Sequence, residues 1–215
     1  MFKAKDSKKD QSYFLFATTK KQLDFLRFPL GNYFKSEIRD IANNFKLVVK
    51  DKPDSQDICF VTKDSYRELI NKLKPESFKK GNIIDIKGNV IGEHEGIVNY
   101  TIGQRKGIGI GGLKKPLYVL DIDKEKNFIM LGEKEYMEKT SINIKNINWL
   151  GDEINGTINC SARIRSNQKE IKGTLKVDNH HAQFIFKEKV LNTSPGQACV
   201  FYSGDQVLGG GWITK

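Results

Sequence analysis

Apolar residues recur at helical spacing through the first third of the chain and fall into short alternating runs through the rest. Ile38, Ile41, Ala42 and Phe45 sit at i, i+3, i+4 and i+7 behind Ser36, a candidate N-cap. Tyr66, Leu69, Ile70 and Leu73 repeat that spacing behind Asp64, and Pro75 ends the segment. Thr19-x-x-Gln22 has the form of a capping box ahead of Leu23, Phe25 and Leu26. Between the two longer helices, Leu47-Val48-Val49 reads as a short extended piece.

From about Lys80 the texture changes. Ile83-Ile84-Asp85-Ile86, Gly88-Asn89 and Val90-Ile91 form a hairpin signature. Leu117 to Asp121 and Phe128 to Leu131 flank Lys124-Glu125-Lys126-Asn127, a second hairpin candidate. Strand-like runs then follow at Thr157 to Arg165, Ile171 to Val177, Gln183 to Phe186, Ala198 to Tyr202, and Val207-Leu208 into Trp212-Ile213. Short strands at such regular spacing point to a small barrel or sandwich. Boundaries fall near residues 79 and 139, giving segments 1–79, 80–139 and 140–215.

Composition narrows the partners. A length of 215 residues, a net charge of +10 and a pI near 9.4 leave two readings of the basic excess. One is a polyanionic partner such as nucleic acid, and the other is ordinary solvated lysine. Three widely spaced cysteines, Cys59, Cys160 and Cys199, make neither a disulfide framework nor a metal cluster and fit a reducing cytoplasm. Neither an apolar run of about 18 residues nor a charged-then-apolar leader is evident, so a membrane span and a signal peptide are not expected. His180-His181 lacks an acid or cysteine at ligand spacing, and no metal is expected from the sequence.

Six stretches stand out as candidates for chemistry or for special backbone geometry. Asp54-Ser55-Gln56-Asp57-Ile58-Cys59-Phe60 sets one thiol at the junction of a polar loop and a strand. Its acidic neighbours would raise a thiol pKa, so activation has to come from elsewhere in the fold or from a bound partner. Gly103 to Gly112 holds five glycines around Gln104-Arg105-Lys106, where backbone amides can face an anion and the cations supply charge. No Gly-Lys-Ser/Thr follows, so it is not a Walker loop. Arg163 and Arg165 share one strand face by the two-residue period, as phosphate ligands or as solvated charges. Lys9-Asp10-Gln11 reads as an exposed loop, Ser194-Pro195-Gly196-Gln197 as a turn, and Gly209-Gly210-Gly211 as a bulge or close backbone approach.

The cysteine string and the glycine block, in this order, resemble the tRNA-specific 2-thiouridylases of the MnmA type. The likeness runs from Lys9-Asp10-Gln11-Ser12-Tyr13-Phe14-Leu15 to Gly209-Gly210-Gly211-Trp212-Ile213. The family's Ser-Gly-Gly-x-Asp-Ser ATP-pyrophosphatase loop and its second, upstream cysteine have no match here.

That resemblance implies an α+β multi-domain chain. Residues 1–79 would be a helical remnant of an α/β nucleotide-binding domain, 80–139 a small β-rich central domain and 140–215 a C-terminal β-barrel that binds tRNA. It implies 2-thiolation of the tRNA wobble uridine, with ATP adenylating the uridine oxygen and a Cys59 persulfide supplying sulfur. It further implies tRNA contacts by Lys9, Asp10, Gln11, Arg165, Ser166 and Gln197, with Gln104, Arg105 and Lys106 as further candidates. Ser166 departs from the aromatic or larger residue often found there. The expected partners are tRNA, a cysteine desulfurase or sulfur-relay protein as donor, and a separate or contiguous ATP-binding chain. The alternative is a non-catalytic tRNA-binding module.

Overall fold

The computed structural model describes residues 1–54, 65–111, 115–179, 181–191 and 193–214. Cys59 and its string from Ser55 onward therefore lie outside the described residues, as do Gly112 and His180. The chain divides into two compact units, one of residues 1–53 with 139–215 and one of residues 54–138.

The first unit is built on a closed six-stranded barrel. Its strands are β5 (Lys139–Trp149), β6 (Gly156–Arg163), β7 (Ile171–Asp178), β8 (His181–Val190), β9 (Ala198–Ser203) and β10 (Gln206–Ile213). They run around the wall in the order β10-β5-β8-β7-β6-β9. Inside lie Ile144, Ile164, Leu175, Phe184, Cys199 and Phe201. Strand β9 is buried along Ala198–Tyr202, which explains its unbroken apolar run. Cys199 and Phe201 belong to the barrel interior, while Ala198, Val200 and Tyr202 pack against Tyr13 and Phe16 of the N-terminal segment.

Strand β5 escapes the sequence pattern for a local reason. Ile142 and Ile144 alternate correctly, but Asn146 takes φ 52° and shifts the alternation to Ile147 and Trp149. The facing strand β10 changes register between Gly210 and Trp212. The three glycines there are needed for close approach. A Cβ on Gly210 would lie 2.6 Å from the Phe16 ring and 2.8 Å from the Cys199 carbonyl, and one on Gly211 would lie 2.6 Å from Ile144.

The N-terminal helices of this unit are short: α1 (Ser12–Leu15), α2 (Lys20–Phe25) and α3 (Lys35–Asn44). The Thr19 box forms in both directions, with Gln22 N donating to Thr19 Oγ1 at 3.2 Å and Thr19 N to Gln22 Oε1 at 2.9 Å. Helix α3 begins earlier than Ser36. Phe34 is its N-cap, Glu37 accepts from the Phe34 amide, and Asp6 Oδ2 accepts from Lys35 N at 3.0 Å. A carboxylate from a distant stretch thus does the capping, which local spacing cannot reveal. Leu47-Val48-Val49 is not extended: the chain turns there, with Lys50 N bonded to Leu47 O at 3.2 Å.

The second unit contains α4 (Ser65–Leu73) and a four-stranded sheet of β1 (Gly81–Ile84), β2 (Val90–His94), β3 (Tyr118–Asp123) and β4 (Phe128–Gly132). The order is β2-β1-β4-β3, with β1 and β4 parallel and the other pairs antiparallel. Both expected hairpins are present. Asp85 Oδ1 accepts from Lys87 N and Asn89 N in the first turn, and Asp123 Oδ1 from Glu125 N and Lys126 N in the second. Ile83, Ile108, Val119, Ile129 and Leu131 form the core.

Candidate nucleic-acid interface

The N-terminal segment is stitched to the barrel before its polar loop appears. Val207 N donates to Met1 O at 3.0 Å and Lys3 N to Asp205 O at 2.9 Å. Phe16 packs edge-on to Trp212 at 5.5 Å, and Asn148 Nδ2 donates to the Phe16 and Thr18 carbonyls. Tyr13 Oη reaches strand β9, donating to Ala198 O at 2.9 Å. Burial pushes the Tyr13 phenol up to about 12, so it stays a neutral donor.

Asp10 is the hub between the loop and the barrel. One carboxylate oxygen accepts from Ala4 N (3.2 Å) and Ser12 N (3.1 Å), the other from Ser12 Oγ (2.8 Å) and Arg163 Nη1 (3.0 Å). Burial opposes its ionisation, but these hydrogen bonds and the Arg163 charge outweigh that and hold its pKa below the ordinary value. Arg163 Nη2 also donates to Glu170 Oε1 at 3.4 Å, and its guanidinium lies over the Tyr202 ring at 5.0 Å. Lys3 Nζ and Ser161 Oγ complete the cluster on Glu170 at 2.8 and 2.6 Å. Burial likewise works against the Glu170 charge, and these partners bring its pKa down.

Arg163 is therefore not a phosphate-facing arginine. Its charge is spent inside the fold on Asp10 and Glu170, with the side chain only 13% exposed. Arg165 follows on the same face, since Ala162 and Ile164 between and before them point into the barrel. It lies just beyond the end of β6, half-buried, close enough for its charge to act on Tyr13.

The sequence candidates of this unit gather around the β6–β9 pairing, where Arg163 stands opposite Val200. Lys9 and Gln11 are exposed on either side of the inward-turned Asp10 carboxylate. Ser166 is exposed beside Arg165 and bonds Asn167 Oδ1 at 2.7 Å. Gln197 is exposed next to Ala198, the residue that Tyr13 grips, and its carbonyl accepts from Ile213 N at 2.8 Å. Lys3, Ser161, Glu170 and Tyr202 were not foreseen as part of this cluster. The Lys3–Glu170 contact spans 167 positions, and no periodicity links such residues.

In the second unit the glycine block is a shaped loop. Gly103, Gly107 and Gly109 take φ values of 87°, 70° and 82°. Gln104 is held within the loop, its Oε1 accepting from Thr101 N and its Nε2 donating to Lys106 O. Arg105 and Lys106 are left exposed, and Ile108 plugs the core. Among the described residues the next element after the loop is strand β3, so no helix N-terminus follows it of the kind that cradles phosphate in a Walker loop. His94 is structural: buried, it accepts from Gly96 N through Nδ1 at 3.1 Å, which leaves Nε2–H to donate to Asn127 O at 3.2 Å.

Neither described cysteine suits sulfur carriage. Burial pushes the Cys160 thiol up to about 12 and the fully enclosed Cys199 thiol well above its ordinary value. Among the described residues no group of His, Cys, Asp and Glu is placed to hold a metal ion, and no helix is long and apolar enough to cross a membrane.

Comparison with known proteins bears on the chain as a whole. Residues 1–63 match the tRNA methyl transferase HUP domain, 67–133 the tRNA methyl transferase PRC-barrel domain, and 139–213 the aminomethyltransferase beta-barrel domain. The tRNA-specific 2-thiouridylase MnmA of Ehrlichia ruminantium (strain Gardel) is 49% identical over 217 residues, covering 99% of this chain and 58% of that protein. Those of Rickettsia canadensis (strain McKiel) and Orientia tsutsugamushi (strain Boryong) are 50% and 48% identical, covering 98% and 100% of this chain and 58% and 59% of theirs. The chain thus spans a little under three fifths of the length of the curated relatives it matches. With three consecutive domain matches and near-50% identity along its whole length, the chain belongs to the tRNA-specific 2-thiouridylase family.

Proposed function

We propose that this chain is the tRNA-holding and sulfur-carrying portion of a tRNA 2-thiouridylase, acting in the cytoplasm on the wobble uridine. The observation that carries this reading is the Asp10–Arg163 closure, 3.0 Å long, which brings exposed Lys9 and Gln11 to the side of the barrel that carries Arg165, Ser166 and Gln197. Cations and amides on a rigid β-wall suit the phosphates and 2′-hydroxyls of folded RNA. Asp10 serves as the anchor that aims its neighbours, with its carboxylate turned inward. Arg105 and Lys106 add a second basic point on the central domain.

In this reading residues 1–79 end the catalytic α/β domain, 80–139 form the β-rich central domain and 140–215 the tRNA-binding barrel. Cys59 holds the transferable sulfur as a persulfide, loaded by a cysteine desulfurase or a sulfur-relay protein. A persulfide is a soft, strong nucleophile near neutral pH, which suits attack on the adenylated uridine C2 with AMP as the leaving group. A second thiol, from the part of the relatives that this chain does not span, would then cleave the S–S bond, leave the outer sulfur on C2 and close a disulfide with Cys59. ATP, the activating substrate of the reading, falls to the part of the relatives that this chain does not span.

Binding of tRNA as a function of salt tests the surface. Arg165→Ala and Lys9→Ala should each weaken affinity and reduce the log–log salt slope by roughly 0.7–0.9. An unchanged slope in both variants would leave the basic excess as solvated surface and remove the reading's support.

A further inference from the structure

An open concavity of about 480 Å³ lies on the outer wall of the barrel, across β6, β7 and β8 and the turn after β9. Its lining includes Asn159, Ser161, Lys172, Thr174, Lys187 and Ser203, and no carboxylate stands among the described residues that line it. One step past the Gly173–Phe186 pair, the register sets Lys172 against Lys187, two exposed cations on neighbouring strands. Like charges directly opposite each other across a sheet destabilise it. Lys3, Lys80 and Lys115 each meet a glutamate at 2.6–2.8 Å, whereas Lys172 and Lys187 have no ion-pair partner among the described residues. The bordering acid, Glu170, is already taken by Lys3, Arg163 and the Ser161 hydroxyl. Thr174 Oγ1 donates to Asn159 Oδ1 at 2.9 Å, which leaves the Asn159 amide N–H groups for a ligand.

We propose that this concavity holds a backbone phosphate of the RNA, gripped by Lys172 and Lys187 and hydrogen-bonded by Asn159 Nδ2 and the Ser203 hydroxyl. The proposal rests on the tRNA reading and adds a contact that none of the sequence candidates supplies. Ser161, which pairs with Lys172, lies on the same face of β6 as Arg163 and Arg165. At about 3.3 Å per residue, the lysine pair stands roughly 13 Å along the strand from Arg165. The phosphate track thus runs from Arg165, past the neutralised Arg163, to the lysines. An acidic protein segment would meet the same charges. The amide and hydroxyl donors around them, and the continuity with the Arg165 surface, favour phosphate and ribose.

The test uses the full 215-residue chain and a tRNA transcript. Lys172→Ala with Lys187→Ala should weaken binding and lower the log–log salt slope by roughly 0.7–0.9, the loss of one phosphate contact. Lys172→Arg with Lys187→Arg should keep the wild-type slope. Lys124→Ala with Lys126→Ala, which removes the same charge from the turn between β3 and β4, should leave the slope unchanged. The Lys172/Lys187 alanine pair should melt at or above the wild-type midpoint, because a like-charge repulsion is gone. Acetylation of lysines, read by mass spectrometry, should show Lys172 and Lys187 protected by the transcript and not by inorganic phosphate or polyglutamate at the same ionic strength. Equal slope losses in the two alanine pairs would reduce the lysines to solvated charge, and a lower midpoint would make them structural. Protection by inorganic phosphate or polyglutamate would mean a small anion or an acidic protein instead. Each of these outcomes overturns the inference. A slope change in Arg165→Ala beside an inert lysine pair overturns this inference alone, and a transcript that does not bind overturns the tRNA reading with it.

Discussion

Asp10 and Arg163, 153 positions apart, form a nearly enclosed ion pair at 3.0 Å that locks the N-terminal loop onto the barrel wall. Removing one partner strands the other charge. Asp10→Ala or Arg163→Met should therefore cost about 3–5 kcal/mol in urea unfolding, and the double variant less than the sum. Additive losses would show that the pair does not act as one unit.

The same cluster sets an acid limit. Asp10 and Glu170 both have folded pKa values below their ordinary 3.8 and 4.5. Their contribution is present above those ordinary values and is lost as pH falls through the lower folded ones. Unfolding midpoints should drop steeply below about pH 4, and less steeply in Asp10→Asn. A parallel pH profile for that variant would contradict the assignment.

How much of this was legible in the residues depends on the range of the contact involved. The Thr19–Gln22 box and the two hairpins formed as read, because each is closed by neighbours in sequence. Helix α3 was shifted by Asp6, and β5 was hidden by the bulge at Asn146, each through geometry that residue types alone do not encode. The family strings gave the candidates at Lys9 to Gln11, Arg165 and Gln197, but not that Asp10 turns inward or that Arg163 is spent on it. Those facts depend on which strand closes next to which.

Gly210 should tolerate no side chain. Its Cβ would meet both the Phe16 ring and the Cys199 carbonyl. Gly210→Ala should destabilise the chain by about 1–3 kcal/mol. Adding Phe16→Ala should not restore stability, because the carbonyl remains in the way. Calorimetric midpoints of the single and double variants check this, and a wild-type midpoint for Gly210→Ala would refute it.

Thiol chemistry should divide sharply. Burial pushes Cys160 up to about 12 and Cys199 well above its ordinary value. Half-buried Cys160 should therefore react with iodoacetamide far more slowly in the folded chain at pH 8 than in the unfolded one, and enclosed Cys199 only on unfolding. Prompt alkylation of either in the native state would contradict the burial argument.

The most direct measurement maps sulfane sulfur on the purified chain after incubation with a cysteine desulfurase and cysteine. Persulfide should appear on Cys59 by mass spectrometry, with none retained after Cys59→Ser. Sulfur found chiefly on Cys160 or Cys199, or undiminished in Cys59→Ser, would contradict the sulfur-carrying role.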